Sequence, residues 1–293
     1  MSNPVEKRTV MQVLEEAARQ WPNVAATQVK RQGTWKAMTW KQYRDEARLT
    51  ARAFMKLGLE PGKGVAIIGY NCPEWFLADV GAIYAGGVPA GIYTTSSAEQ
   101  CQYITHHCEA AIAVVEDKAQ LAKYLSVRDQ MPLLKAIVVI DGSGVDHSKG
   151  IYGWGDLAKL GGEVPDSELE ARIAAQKADD MATLIYTSGT TGPPKAVMIS
   201  HDNITWTARA ALPLIGMQPG ESIVSYLPLS HIAEQVVSIH GPMVVGCTTW
   251  FAESVEKLPE ALQEVRPHAF LGVPRVWEKI QAKIMAAGAQ NKG

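Results

Sequence analysis

The stretch ATLIYTSGTTGPPKAVMISH, residues 182–201, decides the fold and points to the chemistry. Apolar and β-branched residues at 183–187 predict a strand, and those at 196–200 predict a second. Between them, residues 186–195 read Tyr-Thr-Ser-Gly-Thr-Thr-Gly-Pro-Pro-Lys and offer four Ser and Thr hydroxyls, two glycines and one terminal cation. A phosphate chain needs hydrogen-bond donors, close backbone approach and charge neutralisation, and these residues supply all three. A loop directly after a strand is also where α/β proteins place ligands. A plain surface turn shares the Gly, Ser, Thr and Pro content, but gives no reason for the lysine or the preceding strand. Two other phosphate-binding patterns fail on spacing. A Walker A loop needs lysine directly after its second glycine, and here Pro193 and Pro194 intervene. The dinucleotide fingerprint fails because His147 stands where Gly142 and Gly144 would require a third glycine.

Outward from this stretch, short β-type runs alternate with helical-period segments, the pattern of an α/β fold built on mainly parallel sheets. Residues 39–59 form the clearest helix, with Thr39 and Gln42 at capping-box spacing, Tyr43, Ala47, Ala51, Phe54 and Leu57 on one face, and Gly58 as the stop. Strands are expected at 65–69, 88–92, 111–115 and 136–140, with helices from Pro73, at 97–108 and at 117–129. The Gly-, Ser- and Asp-rich residues 141–162 then separate this layer from a second series. That series continues with a helix at 202–215, a strand at 223–226, a helix at 232–240 and a strand at 245–251. A helix at 257–264, a strand at 269–272 and a helix from Pro274 complete it. The expected division is a first α/β subdomain over 1–178 and a second over 179–293 carrying the loop.

Composition narrows the function classes. The 293 residues are 47% hydrophobic and 20% charged, the profile of a globular chain rather than a disordered one. With 28 basic and 30 acidic residues there is no global attraction to nucleic acid or to an anionic membrane. The apolar runs are far shorter than a membrane span, so at most peripheral membrane contact is expected. The N-terminal residues lack the apolar core of a signal peptide, which places the expected location in the cytoplasm. Cys72, Cys101, Cys108 and Cys247 make no disulfide framework. Cys101, His106, His107 and Cys108 are clustered without paired metal-ligand spacing, and fit a helix with some ring and thiol groups packed inward.

Residues 186–201, YTSGTTGPPKAVMISH, resemble the phosphate-binding signature of the adenylate-forming superfamily. SYLPLSHIAEQ (225–235) resembles a second motif of that family, and FLGVPRVWEKI (270–280) a segment typical of long-chain fatty acyl-CoA synthetases. MTWKQYRDEA, GVAIIGYNCPEW and AIYAGGVPAGIYTTSS run parallel to its N-terminal region, so the resemblance covers nearly the whole chain and points to the bubblegum-type members.

The resemblance implies two mainly parallel sheets flanked by helices, as an incomplete N-terminal domain of the adenylate-forming fold. It implies that a long-chain fatty acid is activated by ATP with Mg2+ and then transferred to coenzyme A. In that reading Thr187, Ser188, Gly189, Thr190, Thr191, Gly192 and Lys195 cradle the phosphates, and Thr187 helps hold magnesium. One departure is Ala196, where many relatives carry glycine. His231 falls where the family places a histidine beside the substrate carboxylate; from the residues alone it also reads as a helix N-terminal histidine packed into the core. Glu234, at i+3, either orients that ring or is an exposed helix carboxylate. Val273, Arg275 and Trp277 resemble the border of the acyl channel, although ordinary packing explains Val273 and Trp277 as well. The family's downstream adenine, ribose and hinge motifs and its small C-terminal domain have no counterpart here. The expectation is the N-terminal portion of such a synthetase, inactive alone, as a truncated product or as a fragment acting with a separate C-terminal half, or else a non-catalytic nucleotide- or acyl-binding module.

Overall fold

The structure, a computed structural model, describes residues 6–187 and 192–290. In chain order its strands are β1 (Ala25–Arg31), β2 (Thr34–Thr39), β3 (Gly64–Ile68), β4 (Val88–Ile92), β5 (Ala110–Val115), β6 (Ala136–Val139), β7 (Ile151–Gly153), β8 (Met181–Thr187), β9 (Lys195–Ser200), β10 (Ser222–Ser225) and β11 (Thr248–Phe251). One sheet has the order β7-β6-β5-β3-β4-β8-β9, and all of its pairs are parallel except β8 with β9. The other has the order β10-β11-β1-β2, with β1 and β2 antiparallel. These are the two mainly parallel sheets that the sequence implies.

The larger sheet is buried on both faces, which is why its strands read as continuous apolar runs rather than alternating ones. Val65 and Ile67 of β3 enter one core, while Ala66 and Ile68 enter another. Helices α1 (Val10–Gln20), α2 (Trp40–Lys56) and α3 (Pro73–Tyr84) pack on the first face, whose core continues as far as Phe251 of the smaller sheet. There the Phe76 ring meets Phe251 edge-on at 4.8 Å. Helices α4 (Ala98–His107) and α5 (Lys118–Ser126) cover the opposite face through Cys101, Ile104, Leu121 and Tyr124. The remaining helices are α6 (Asp156–Gly162), α7 (Asp166–Ala175), α8 (His201–Ile215), α9 (Ile232–Gln235), α10 (Gly241–Val245), α11 (Leu258–Val265) and α12 (Pro274–Gln290), with a π-helical turn over Val236–His240 between α9 and α10. The Thr39 and Gln42 capping box forms as its spacing predicts, and Ser200 with Asn203 starts α8 in the same way.

Several expectations need correction. A division at residue 178 does not follow the sheets: β8 and β9 complete the first sheet, while β1 and β2 belong to the second. The residues expected as a separator at 141–162 contain β7 and α6. Residues 269–272 are not a strand; only Ala269 bridges to Ile223. The helix expected to reach 129 ends at Ser126. Residues 232–240, expected as one helix, are α9 followed by the π-turn. The run at 245–251 divides between the end of α10 and β11. The sequence reading also passed over α1, α7 and the hairpin of β1 and β2. That hairpin turns at Gln32 and Gly33, both with positive φ, the geometry of a two-residue type I′ turn written with an unfavourable first residue.

Asp79 on α3 is fully buried, and neither carboxylate oxygen has a hydrogen-bond partner. Burial alone pushes its pKa from 3.8 up to about 8. The folded state therefore holds a proton that the unfolded state has released, and stability falls as pH rises between those two values. The loss is on the order of 4 kcal/mol between about pH 5 and about pH 8. Asp79→Asn removes the titration, so its urea midpoints at the two pH values should lie much closer together than those of the parent chain. An unchanged pH dependence in the variant contradicts this account.

Candidate active site

The signature loop hangs between β8 and β9. The antiparallel register sets Thr187 opposite Lys195, so the last hydroxyl-bearing residue of one stem faces the cation that begins the other. Both side chains are exposed. Gly192 has φ of +102°, where an L side chain would be strained, and among the described residues no atom beyond its chain neighbours lies within 4 Å of where its Cβ would be. Ser188, Gly189, Thr190 and Thr191 lie outside the described residues.

The next strand inward is β4, paired in parallel with β8 so that Gly91 meets Ile185. A Cβ on Gly91 would fall 2.7 Å from Ser230 Cα, so glycine is required for residues 226–231 to lie against the end of β4. This close approach brings the His231 segment and the loop stems to the same edge of the larger sheet, beyond the C-terminal ends of β4 and β8. Open α/β sheets bind ligands at such an edge. His231 itself is the N-cap of α9: its Nδ1 accepts a hydrogen bond from the Ala233 N–H at 3.1 Å, and its side chain is exposed. The reading of it as a helix N-terminal histidine packed into the core holds for the helix position and fails for the packing.

Glu234 is neither an exposed carboxylate nor the orienter of the His231 ring. It is 2% exposed, and Oε1 accepts from Ser225 Oγ at 2.7 Å, Ser238 Oγ at 2.7 Å, the Tyr226 N–H at 3.1 Å and Asn71 Nδ2 at 3.4 Å. Burial pushes the carboxyl above its usual range, and these donors oppose that shift. Asn71 also donates to Ser225 Oγ and to the Leu227 carbonyl, each at 2.8 Å. Asn71 follows β3 in the larger sheet, whereas Ser225 ends β10 in the smaller one. The cluster therefore ties the C-terminal ends of the two sheets together. Sequence reasoning missed Asn71, Ser225 and Ser238. Asn71 carried a faint signal, a polar residue between a buried strand and a helix-initiating proline, whereas the two serines carried none.

Tyr226 continues this framework. Its hydroxyl donates to the Leu271 carbonyl at 2.9 Å and accepts from the Val273 N–H at 3.4 Å, which holds residues 270–273 without a strand. Its ring stacks on Phe270 at 5.4 Å, and Phe270 meets Trp277 edge-on at 5.6 Å. The Trp277 indole N–H donates to the Gly272 carbonyl at 2.9 Å, and the residue is 51% exposed. Arg275, in the first turn of α12, is exposed. Trp277 and Arg275 thus border the surface, and Val273 is half-buried against the apolar cluster that contains Tyr226.

The cysteine–histidine cluster does not converge. Burial pushes the Cys101 thiol up to about 11 and the Cys108 thiol up to about 12, which keeps both protonated, while His106 and His107 are exposed.

An α/β sheet edge carrying a hydroxyl- and glycine-rich loop places this chain among nucleotide-handling α/β proteins, and comparison with known families makes the class definite. A family model described as AMP-binding enzyme matches residues 14–292, and the chain belongs to that family. It is 48% identical over 290 residues to the long-chain-fatty-acid–CoA ligase ACSBG2 of Xenopus laevis, covering 97% of this chain and 39% of that protein. It is 44% identical over 291 residues to the long-chain-fatty-acid–CoA ligase ACSBG1 of Bos taurus, covering 97% of this chain and 40% of that protein. The chain thus spans about two fifths of the length of these curated relatives. Among solved structures, the anthranilate CoA ligase AuaEII in complex with anthranoyl-AMP superposes with a TM-score of 0.81 at 23% identity, over 94% of this chain and 52% of that one. MbtA of Mycobacterium smegmatis gives 0.79 at 23% identity, over 92% and 49%. These likenesses establish the fold as that of the adenylate-forming enzymes' N-terminal domain.

Replacing Glu234 by Ala leaves Ser225 Oγ, Ser238 Oγ and the Tyr226 N–H without their shared acceptor, at a cost of roughly 3–5 kcal/mol, while Asn71 keeps its two 2.8 Å partners. Glu234→Gln retains an acceptor oxygen and should lose clearly less. Urea denaturation of the two variants checks this ordering, and equal stability of Glu234→Ala and the parent chain contradicts it.

Proposed function

We propose that this chain supplies the phosphate loop and part of the acyl-binding surface for activation of a long-chain fatty acid. The observation that carries the reading is the shared edge: Thr187 and Lys195 are paired at the loop stems, and Gly91 admits the His231 segment beside them. The names of the relatives support the acid and thiol substrates. The fatty acid carboxylate attacks the α-phosphate of ATP, forming acyl-adenylate and expelling pyrophosphate. The coenzyme A thiol, losing its proton, then attacks the acyl carbonyl and expels AMP. Both nucleophiles belong to substrates, so the protein's task is positioning and neutralisation of charge.

In this reading Thr187, Ser188, Gly189, Thr190, Thr191, Gly192 and Lys195 take the β- and γ-phosphates. Lys195 neutralises the charge that builds on departing pyrophosphate. His231, exposed at its helix start, faces the carboxylate, and Arg275 and Trp277 border the path of the acyl chain. Thr187 offers one oxygen to magnesium, and no group of three His, Cys, Asp or Glu among the described residues could hold an ion. This donor set fits an ion carried by the phosphates of ATP, because Mg2+ commonly takes only one or two protein ligands beside phosphate and water. Bound there, magnesium would screen the phosphate charge. No helix among the described residues is long and apolar enough to cross a membrane; we place the reaction in the cytoplasm.

Pyrophosphate exchange into ATP, driven by a long-chain fatty acid, tests the reading. The chain alone should give no exchange, and exchange should appear when the remaining length found in its relatives is supplied. Exchange that never appears, with ATP still bound, would mark a nucleotide-binding module without catalysis and overturn the proposal. In the active assembly, Lys195→Ala should lower the rate by about a hundredfold to a thousandfold, a loss of roughly 2.7–4 kcal/mol of transition-state stabilisation. A full rate in that variant removes Lys195 from the assignment.

A further inference from the structure

Helix α4 touches both stems of the signature loop. The Tyr103 hydroxyl donates to the Pro194 carbonyl at 3.2 Å, directly before Lys195. The Tyr186 hydroxyl and His107 Nδ1 lie 2.8 Å apart, directly before Thr187. Tyr103 and His107 are i and i+4 on one helix face, with ring centroids 5.5 Å apart, and the His107 ring meets Tyr186 edge-on at 5.7 Å. The helix is firmly seated. Cys101, Ile104 and Thr105 are buried, the Thr105 and Tyr124 hydroxyls pair at 3.1 Å, and Ser97 with Gln100 closes a capping box at its start. Burial holds the Tyr186 phenol well above its usual range, so it stays protonated and available as a hydrogen-bond donor.

We propose that Tyr103 and His107 are positioning residues for nucleotide binding, gripping the two stems so that Thr187 and Lys195 keep a fixed separation before ATP arrives. The ladder of β8 and β9 ends at the Thr187–Lys195 pair. Past that pair Gly192 and Pro193 are exposed and Pro194 is half-buried, and a loop rich in Gly, Ser and Thr loses much conformational freedom on gripping phosphate. Contacts that fix both stems in advance reduce that loss, and binding tightens by the same amount. His107 and Tyr103 touch no reacting atom in this reading; they act through the backbone of residues 186–187 and 194–195. Neither residue belongs to the signature itself, and their i and i+4 spacing on a neighbouring helix gives them no mark in a linear motif.

The inference rests on the nucleotide reading of the loop, so its test separates the two. Hydrogen exchange of the loop amides, measured without nucleotide, reports the grip alone. Combining Tyr103→Phe with His107→Leu should raise exchange across residues 187–195 several-fold and leave the remaining strand amides unchanged. Restoring position 107 as Asn, whose side-chain amide can meet the Tyr186 hydroxyl, should recover much of the protection. In the assembly that carries out exchange, the double variant should raise KM for ATP by about tenfold, as expected for two lost neutral hydrogen bonds, with KM for the fatty acid unchanged. Unaltered loop exchange, or equal shifts in both KM values, overturns the grip. A full rate of pyrophosphate exchange in Lys195→Ala, with the loop-exchange response intact, instead overturns the nucleotide reading and the inference with it.

Discussion

A single buried carboxylate oxygen sets the geometry of the candidate site. Glu234 Oε1 gathers donors from Ser225, Tyr226, Ser238 and Asn71, and these residues come from the end of one sheet, a π-helical turn and the end of the other sheet. A carboxylate in that environment is costly unless its donors stay in place. The requirement therefore works in reverse, holding the donors' backbones where the carboxylate needs them. Residues 226–231 are drawn across the end of β4, glycine becomes obligatory at position 91, and His231 is left at the surface as a helix cap. The edge on which the loop stems and His231 meet follows from that constraint.

The surrounding structure separates rigidity from access. β3, β4 and β8 are covered on both faces by helices and supply a fixed platform, whereas Thr187, Lys195, His231 and Arg275 all present exposed side chains. Chemistry in which the substrates provide the nucleophiles calls for this arrangement, because the protein must place charges and donors rather than activate a residue of its own. Deep burial, by contrast, falls on groups without a part in the proposed reaction: the Cys101, Cys108 and Cys247 thiols and Asp79 are all pushed toward their neutral forms.

Features written in local pattern were legible in the sequence. The buried parallel strands, the α2 capping box, the loop between two strands and the family resemblance all depend on neighbours within about twenty residues. Features that depend on distant partners were not. β1 and β2 lie near the N-terminus, yet β1 pairs with β11 more than two hundred positions later, so a division at 178 does not separate the two sheets. Glu234 looked like a helix-surface carboxylate because its donors Asn71 and Ser225 are remote in sequence or unremarkable as residue types. Residues 269–272 carried strand-like composition, but the Tyr226 hydroxyl occupies the backbone groups of Leu271 and Val273, and only Ala269 reaches the sheet.

The central claim is that Lys195 meets the terminal phosphates of ATP at this sheet edge. An ATP derivative bearing a reactive acyl group on its γ-phosphate transfers that group to a lysine amine within reach, and peptide mapping identifies the acceptor. The account predicts acylation at Lys195, suppressed by excess ATP and unaffected by AMP, which lacks the β- and γ-phosphates. Acylation confined to other lysines, or labelling of Lys195 that ATP fails to suppress, would contradict it.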